Sequence, residues 1–95
     1  MSKSTEKQLL IDKIVEAIQD TKGEDVQIFD LSGIENSAAD TFIICSGNSN
    51  TQVSAIAGNI EKKVRNDIKE RPWHVEGTEN AMWVLVDYVS VVVHV

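Results

Sequence analysis

An α/β fold, a single layer of mixed β-sheet packed with helices, is what this 95-residue chain predicts. Three observations point to it. Apolar residues recur at helical spacing from Leu10 to Ile18 and again from Val53 to Ile68. Short β-branched runs lie between and after those stretches, bounded by Gly, Pro and Asn. In chain order the elements read α-β-β-α-β-β-β, one domain over residues 1–95 with one modest core.

The first helix starts near Thr5, whose spacing to Gln8 is that of a capping box. Leu10, Ile11, Ile14, Val15 and Ile18 form its apolar face, and Lys22-Gly23 supplies a cation and then a residue suited to a left-handed end. Val26 to Leu31 reads as a strand. Ser32 to Ala39 is a polar connection, with Gly33 and Asn36 as turn formers. Thr41 to Cys45 is apolar on both faces, which predicts a strand covered on both sides. Ser49 and Gln52 repeat the capping-box spacing at the start of the second helix, which buries Val53, Ile56, Ala57, Ile60, Val64 and Ile68. Gly58 inside that helix predicts a close packing contact, and the alternating charges of Glu61 to Arg71 predict its solvated face. Pro72 stops the helix. Trp73 to Glu76 is a short strand and Gly77 to Asn80 a turn. Met82 to Tyr88 and Ser90 to Val95 read as a hairpin.

Composition limits the function. Nine Lys and Arg stand against fifteen Asp and Glu, giving a net charge of −6. Residues 1–60 hold four basic and nine acidic groups, hence −5; residues 61–95 hold five and six, hence −1. An acidic surface repels phosphate, so a direct grip on nucleic acid is not expected, whereas a basic protein partner suits it. Cys45 is the sole cysteine, which excludes an internal disulfide and fits a reducing cytoplasm. The N-terminus carries no signal-peptide core, and the apolar runs are too short to cross a bilayer.

Catalytic chemistry is poorly provided for. Gly47, Ser49 and Asn50 lie between a strand and a helix start, where free N–H groups hold anions in other proteins. The lysine of a phosphate-binding loop and the spaced glycines of a dinucleotide site are both missing, so a structural turn is the expected role. A nucleotide-binding or nucleotidyltransferase-like enzyme using the Ser46 to Asn50 turn is the alternative reading. Against it, no Asp-x-Asp or Asp-x-Glu pair exists to hold metal ions. His74, His94 and Cys45 are too scattered for zinc, and Cys45 ends an apolar strand as core cysteines do. No cofactor, metal or enzymatic activity is expected.

Binding chemistry fits better. Along Met82-Trp-Val-Leu-Val-Asp-Tyr88, Trp83, Leu85 and Asp87 share one face, and Met82, Val84, Val86 and Tyr88 the other. With the second set in the core, Trp83 and Asp87 point outward, an aromatic anchor beside a carboxylate. With the first set inward, Trp83 packs under a helix. Alternation alone leaves both arrangements open. Tyr88, near the strand end, is expected to reach the same rim as Trp83.

Several blocks in order resemble the ribosomal silencing factor (Iojap) family: Ala39-Asp40, Ile44 to Ser49, Gln52-Val53, His74 to Gly77, Trp83 to Tyr88 and Val91 to His94. The similarity runs from about Leu10 to Val95. It implies a nucleotidyltransferase-like fold without the catalytic carboxylates. It also implies a translational repressor that binds the large ribosomal subunit through its protein L-fourteen and sterically blocks the small subunit. By position, Trp83 and Tyr88 match the family's partner-binding residues, and Met82, Asp87 and Glu76 are neighbours expected to join them. A generic homodimer through exposed sheet edges is a further reading. Two departures from the family pattern stand out. Val89-Ser90 replaces the usual Gly-Asp, and since Val resists positive φ, a wider or bulged turn is expected there. The family also continues past the last strand, so a C-terminal segment is expected to be missing.

Overall fold

The computed structural model describes residues 3–31, 40–77 and 82–95, with side chains from Glu6 onward. The connection at 32–39, residues 78–80 of the turn after Gly77, and the Thr5 side chain of the first capping box lie outside the described residues. The element order is the expected one: α1 (Lys3–Asp20), β1 (Glu24–Asp30), β2 (Thr41–Ser46), α2 (Asn50–Ile68), β3 (His74–Glu76), β4 (Leu85–Asp87) and β5 (Val91–His94).

Helix α1 already runs at Lys3, so Thr5 lies within it, and Gln8 turns its amide forward to Asp12 Oδ1 (2.9 Å). Its C-terminus corrects the assignment of Lys22-Gly23. Lys22 itself takes the left-handed conformation (φ 59), and the Gly23 N–H donates to the Ile18 carbonyl (2.9 Å). Gly23 is needed for a different reason. A Cβ there would sit 2.4 Å from Ile18 Cγ2, so only glycine lets the chain turn so closely back over the helix. Helix α2 opens as expected, with Ser49 Oγ accepting the Gln52 N–H (3.1 Å). It closes at Lys69 in the left-handed region, whose N–H bonds the Arg65 carbonyl, three residues before Pro72. Gly58 has open space where a Cβ would stand and is exposed, so the expected close contact is absent.

The five strands form one sheet in the order β1-β2-β5-β4-β3. Only β2 and β5 are parallel; the other neighbours are antiparallel. Both helices cover one face of this sheet. Leu10, Ile11, Ile14, Ala17 and Ile18 of α1 and Val53, Ile56, Ala57, Ile60 and Val64 of α2 share a single core with Ile43, Cys45, Val84, Val86, Tyr88, Val91, Val93 and Val95. Asn59 Nδ2 bonds the Ala17 carbonyl (2.9 Å), and Lys13 and Lys63 reach Asp67 and Asp20 across the helix pair (3.3 and 3.6 Å). Strand β2 is therefore buried on one face only. Thr41, Ile43 and Cys45 are covered, while Phe42 and Ile44 are half-exposed on the other side. The expectation of cover on both faces fails because both described helices lie on one side, and among the described residues no second layer covers the other.

The β4–β5 turn is tight, not widened. Ser90 N–H bonds the Tyr88 carbonyl (2.9 Å), Tyr88 N–H bonds the Val91 carbonyl (2.8 Å), and Val89 takes φ 75. Asp87 Oδ1 supports the turn by accepting the Val89 N–H (2.7 Å). A β-branched residue at positive φ stores strain of order 1–3 kcal/mol. Glycine would release it while adding about 0.5–1 kcal/mol of chain entropy to the unfolded state. Val89→Gly is thus expected to stabilise the fold by about 1 kcal/mol and raise Tm by about 4–8 °C. A scanning-calorimetry Tm unchanged or lowered by the substitution would contradict this account of the turn.

Candidate functional site

The pairing registers place the helix-free face residue by residue. One row across the sheet is Phe29, Phe42, Val92, Asp87 and His74; the next is Gln27, Ile44, His94, Leu85 and Glu76. Alternation puts each of these opposite the core positions Ile43, Val93, Val86 and Val75. The middle of the face is apolar and half-buried, and its β3 end carries the carboxylates.

Trp83 stands at this end on the outer side, 45% exposed. Its indole meets the His94 ring edge-on, with centroids 6.1 Å apart and planes at 83°. Gly77 backs it from the end of β3. A Cβ on Gly77 would lie 2.2 Å from the Trp83 carbonyl oxygen and 2.8 Å from its Cε3, and Gly77 holds φ 87. Met82 is 72% exposed because the β4 ladder begins only after it, so the expected strand from Met82 is shorter and Met82 leaves the core-facing set. Glu76 Oε1 lies 2.7 Å from His74 Nε2 at the edge strand.

Tyr88 is separated from these residues. It is 8% exposed, packs on the helix side, and lines a groove with Glu6, Lys7, Leu10, Asp40, Glu70 and Ser90. The tight turn keeps the strand parity through Tyr88, so it does not reach the Trp83 rim. Among the described residues its hydroxyl has no hydrogen-bond partner. Burial, and secondarily Glu61 and Glu70, raise its phenol well above the ordinary value, and burial pushes the Cys45 thiol up to about 11 from 9.0. Both groups are therefore neutral in the fold and more acidic when unfolded, so the stability they hold is present below pH 9 and is lost as pH rises through 9 to 11 and beyond. Tm is expected to fall over that range in the native chain and to fall less steeply in Cys45→Ala/Tyr88→Phe; parallel curves would show that other groups govern the alkaline limb.

Gln52 braces the Ser46 to Asn50 turn from both sides. Gln52 Oε1 accepts the Asn48 N–H, Ser49 Oγ accepts the Gln52 N–H, and Gln52 Nε2 donates to the Lys22 carbonyl (3.0 Å). The Gln52 side chain thus ties the turn to the end of α1. Among the described residues, no three His, Cys, Asp or Glu side chains gather as a metal site requires.

Sequence reading missed Trp73, 75% exposed beside His74 on the edge strand, and the apolar outer residues Phe42, Ile44, Leu85 and Val92. The signal for the outer residues was available, since two helices are too few to cover both faces of five strands.

The sheet face with its exposed Trp83 and Met82 and the carboxylates of Asp87 and Glu76 belongs to an α/β module and has the composition of a protein interface. The family model described as ribosomal silencing factor during starvation matches residues 3–95, and the chain belongs to that family. It is similar to the ribosomal silencing factor of Halalkalibacterium halodurans, 44% identical over 88 residues, covering 93% of this chain and 74% of that protein. The ribosomal silencing factor of Bacillus subtilis is 45% identical over 80 residues, covering 83% of this chain and 65% of that protein. The chain thus spans about two thirds to three quarters of these relatives' lengths. A crystal structure from Chromobacterium violaceum superposes with a TM-score of 0.85 at 36% identity, covering 92% of this chain and 71% of that one. One from Bacillus halodurans gives 0.80 at 42%, covering 92% and 79%. Among the described residues, no helix is long and apolar enough to cross a membrane.

Proposed function

We propose that this chain is a non-enzymatic translational repressor that acts in the cytoplasm. It binds the large ribosomal subunit through the subunit's protein L-fourteen and sterically blocks joining of the small subunit. The observation that carries this reading is the exposure of Trp83 and Met82 just before β4, with the carboxylates of Asp87 on β4 and Glu76 on β3, around a sheet face that no described helix covers. Trp83 and Met82 supply apolar anchors, and the two carboxylates, in a chain of net charge −6, suit a basic protein surface. Tyr88 contributes from behind, fixing the end of β4 to the core so that Asp87 and Trp83 keep their outward direction. Family membership supports the ribosome as the target. Self-association through the open edges of β1 and β3 is consistent with this reading.

The test is sedimentation of the purified protein with large subunits, followed by addition of small subunits. Co-sedimentation with the large subunit and loss of joined ribosomes is the expected result. A folded protein that neither co-sediments nor reduces joining would refute the proposal.

A further inference from the structure

Trp83 is held more firmly than an exposed anchor requires. Three structural facts bear on this. Its backbone carbonyl and six-membered ring lie directly against the bare Cα of Gly77, with no room for a Cβ. Gly77 holds φ 87, a conformation that an L side chain would strain. The indole also meets the His94 ring in a T-shaped contact at 6.1 Å, and His94 is itself fixed in the sheet opposite Leu85 and beside Ile44. The ring is thus seated between the end of β3 and the central strand β5, with the rest of its surface open to solvent.

We propose that Gly77 and His94 are positioning residues that hold the Trp83 indole in its binding orientation before the partner arrives. The inference deepens the subunit-binding reading and rests on it. An anchor already in place loses little rotamer freedom on binding, so its contact area converts to affinity with a smaller entropic offset. Neither residue needs to touch the partner. Gly77 acts by lacking a side chain, and His94 by its T-shaped contact with the indole.

The experiment uses a Trp73→Phe background, so that Trp83 is the sole fluorophore of its kind. Acrylamide quenching reports how openly the indole is held, and titration against purified large subunits reports affinity. Gly77→Ala and His94→Ala are each expected to raise the quenching constant. His94→Ala is expected to weaken binding about three- to tenfold, the scale of one aromatic edge contact. His94→Phe keeps a ring edge in place and should restore both readouts, which a merely structural role for the histidine imidazole would not allow. Far-UV circular dichroism checks the fold; if Gly77→Ala fails to fold, the His94 pair still decides the matter.

Unchanged quenching in His94→Ala overturns the proposal. So does raised quenching with unchanged affinity, provided that Trp83→Ala loses binding. If Trp83→Ala binds as tightly as the native chain, the parent reading fails and the positioning role falls with it. In that case the quenching data alone still report whether the indole was fixed, so the two failures are distinguishable.

Discussion

Trp83→Glu is expected to abolish large-subunit binding while leaving the fold intact. Trp83 lies outside the core cluster and is nearly half exposed, so its replacement removes little of the apolar area that stabilises the domain. At an interface the same side chain would be fully desolvated. Truncating a central aromatic anchor typically weakens binding by about 2 kcal/mol or more, roughly thirtyfold in affinity. Glutamate adds a second penalty, because its charge would have to be buried at the interface without a partner. Trp83→Ala should therefore show the thirtyfold loss and Trp83→Glu no detectable binding. Thermal melts of both should stay within about 4 °C of the native chain. A folded Trp83→Glu protein that still co-sediments with subunits would move the binding surface elsewhere.

The second large effect concerns stability. Ile60 is fully buried on α2 where the helix pair meets the sheet. Ile60→Ala should cost about 2–5 kcal/mol, from lost transfer energy and the cavity left behind. A domain of this size has a total stability on the order of 5–10 kcal/mol, so the change removes a large share of it. Val92 provides the contrast. It is a β-branched residue on β5 like its core neighbours Val91 and Val93, but it faces the open side and is only half-buried. Val92→Ala should cost about 1 kcal/mol or less. Chemical denaturation of both variants measures the difference directly. Equal losses would mean that the outer face is as fully covered as the inner one.

The parts of the fold legible in the sequence were those fixed by short-range periodicity. The buried stripe of α2, the Ser49 cap and the order of seven elements all follow from spacing that a few residues carry. What spacing could not convey was which elements lie above a given strand. Thr41 to Cys45 is apolar on both sides, yet only one side is covered, because cover depends on where α1 and α2 settle. The same limit applies to Trp83, whose outward direction required knowing that Val84 and Val86 face the helices. Tyr88 was misplaced for a related reason. Its position on the helix side was implied by strand parity, but the Val-Ser turn suggested a distortion there. Instead Val89 accepts a strained φ and the parity survives. Gly77 was read as a turn former; its close contact with Trp83 is a property of two segments meeting and has no local signature.

The place of β5 in the sheet has a consequence for how the molecule is made. This strand, near the C-terminal end of the sequence given, lies between β2 and β4, and its parallel partner β2 pairs Thr41 with Val91. During synthesis both helices and four strands emerge before the piece that joins them. Until Val91 to His94 are available, β2 and β4 each present an unpaired edge, and the inner face lacks Val91 and Val93. Closing a loop of such length is slow compared with forming a helix, so assembly waits on β5. A nascent chain arrested before Val91 is therefore expected to stay protease-sensitive despite containing both helices, and native resistance should appear only when β5 clears the exit tunnel.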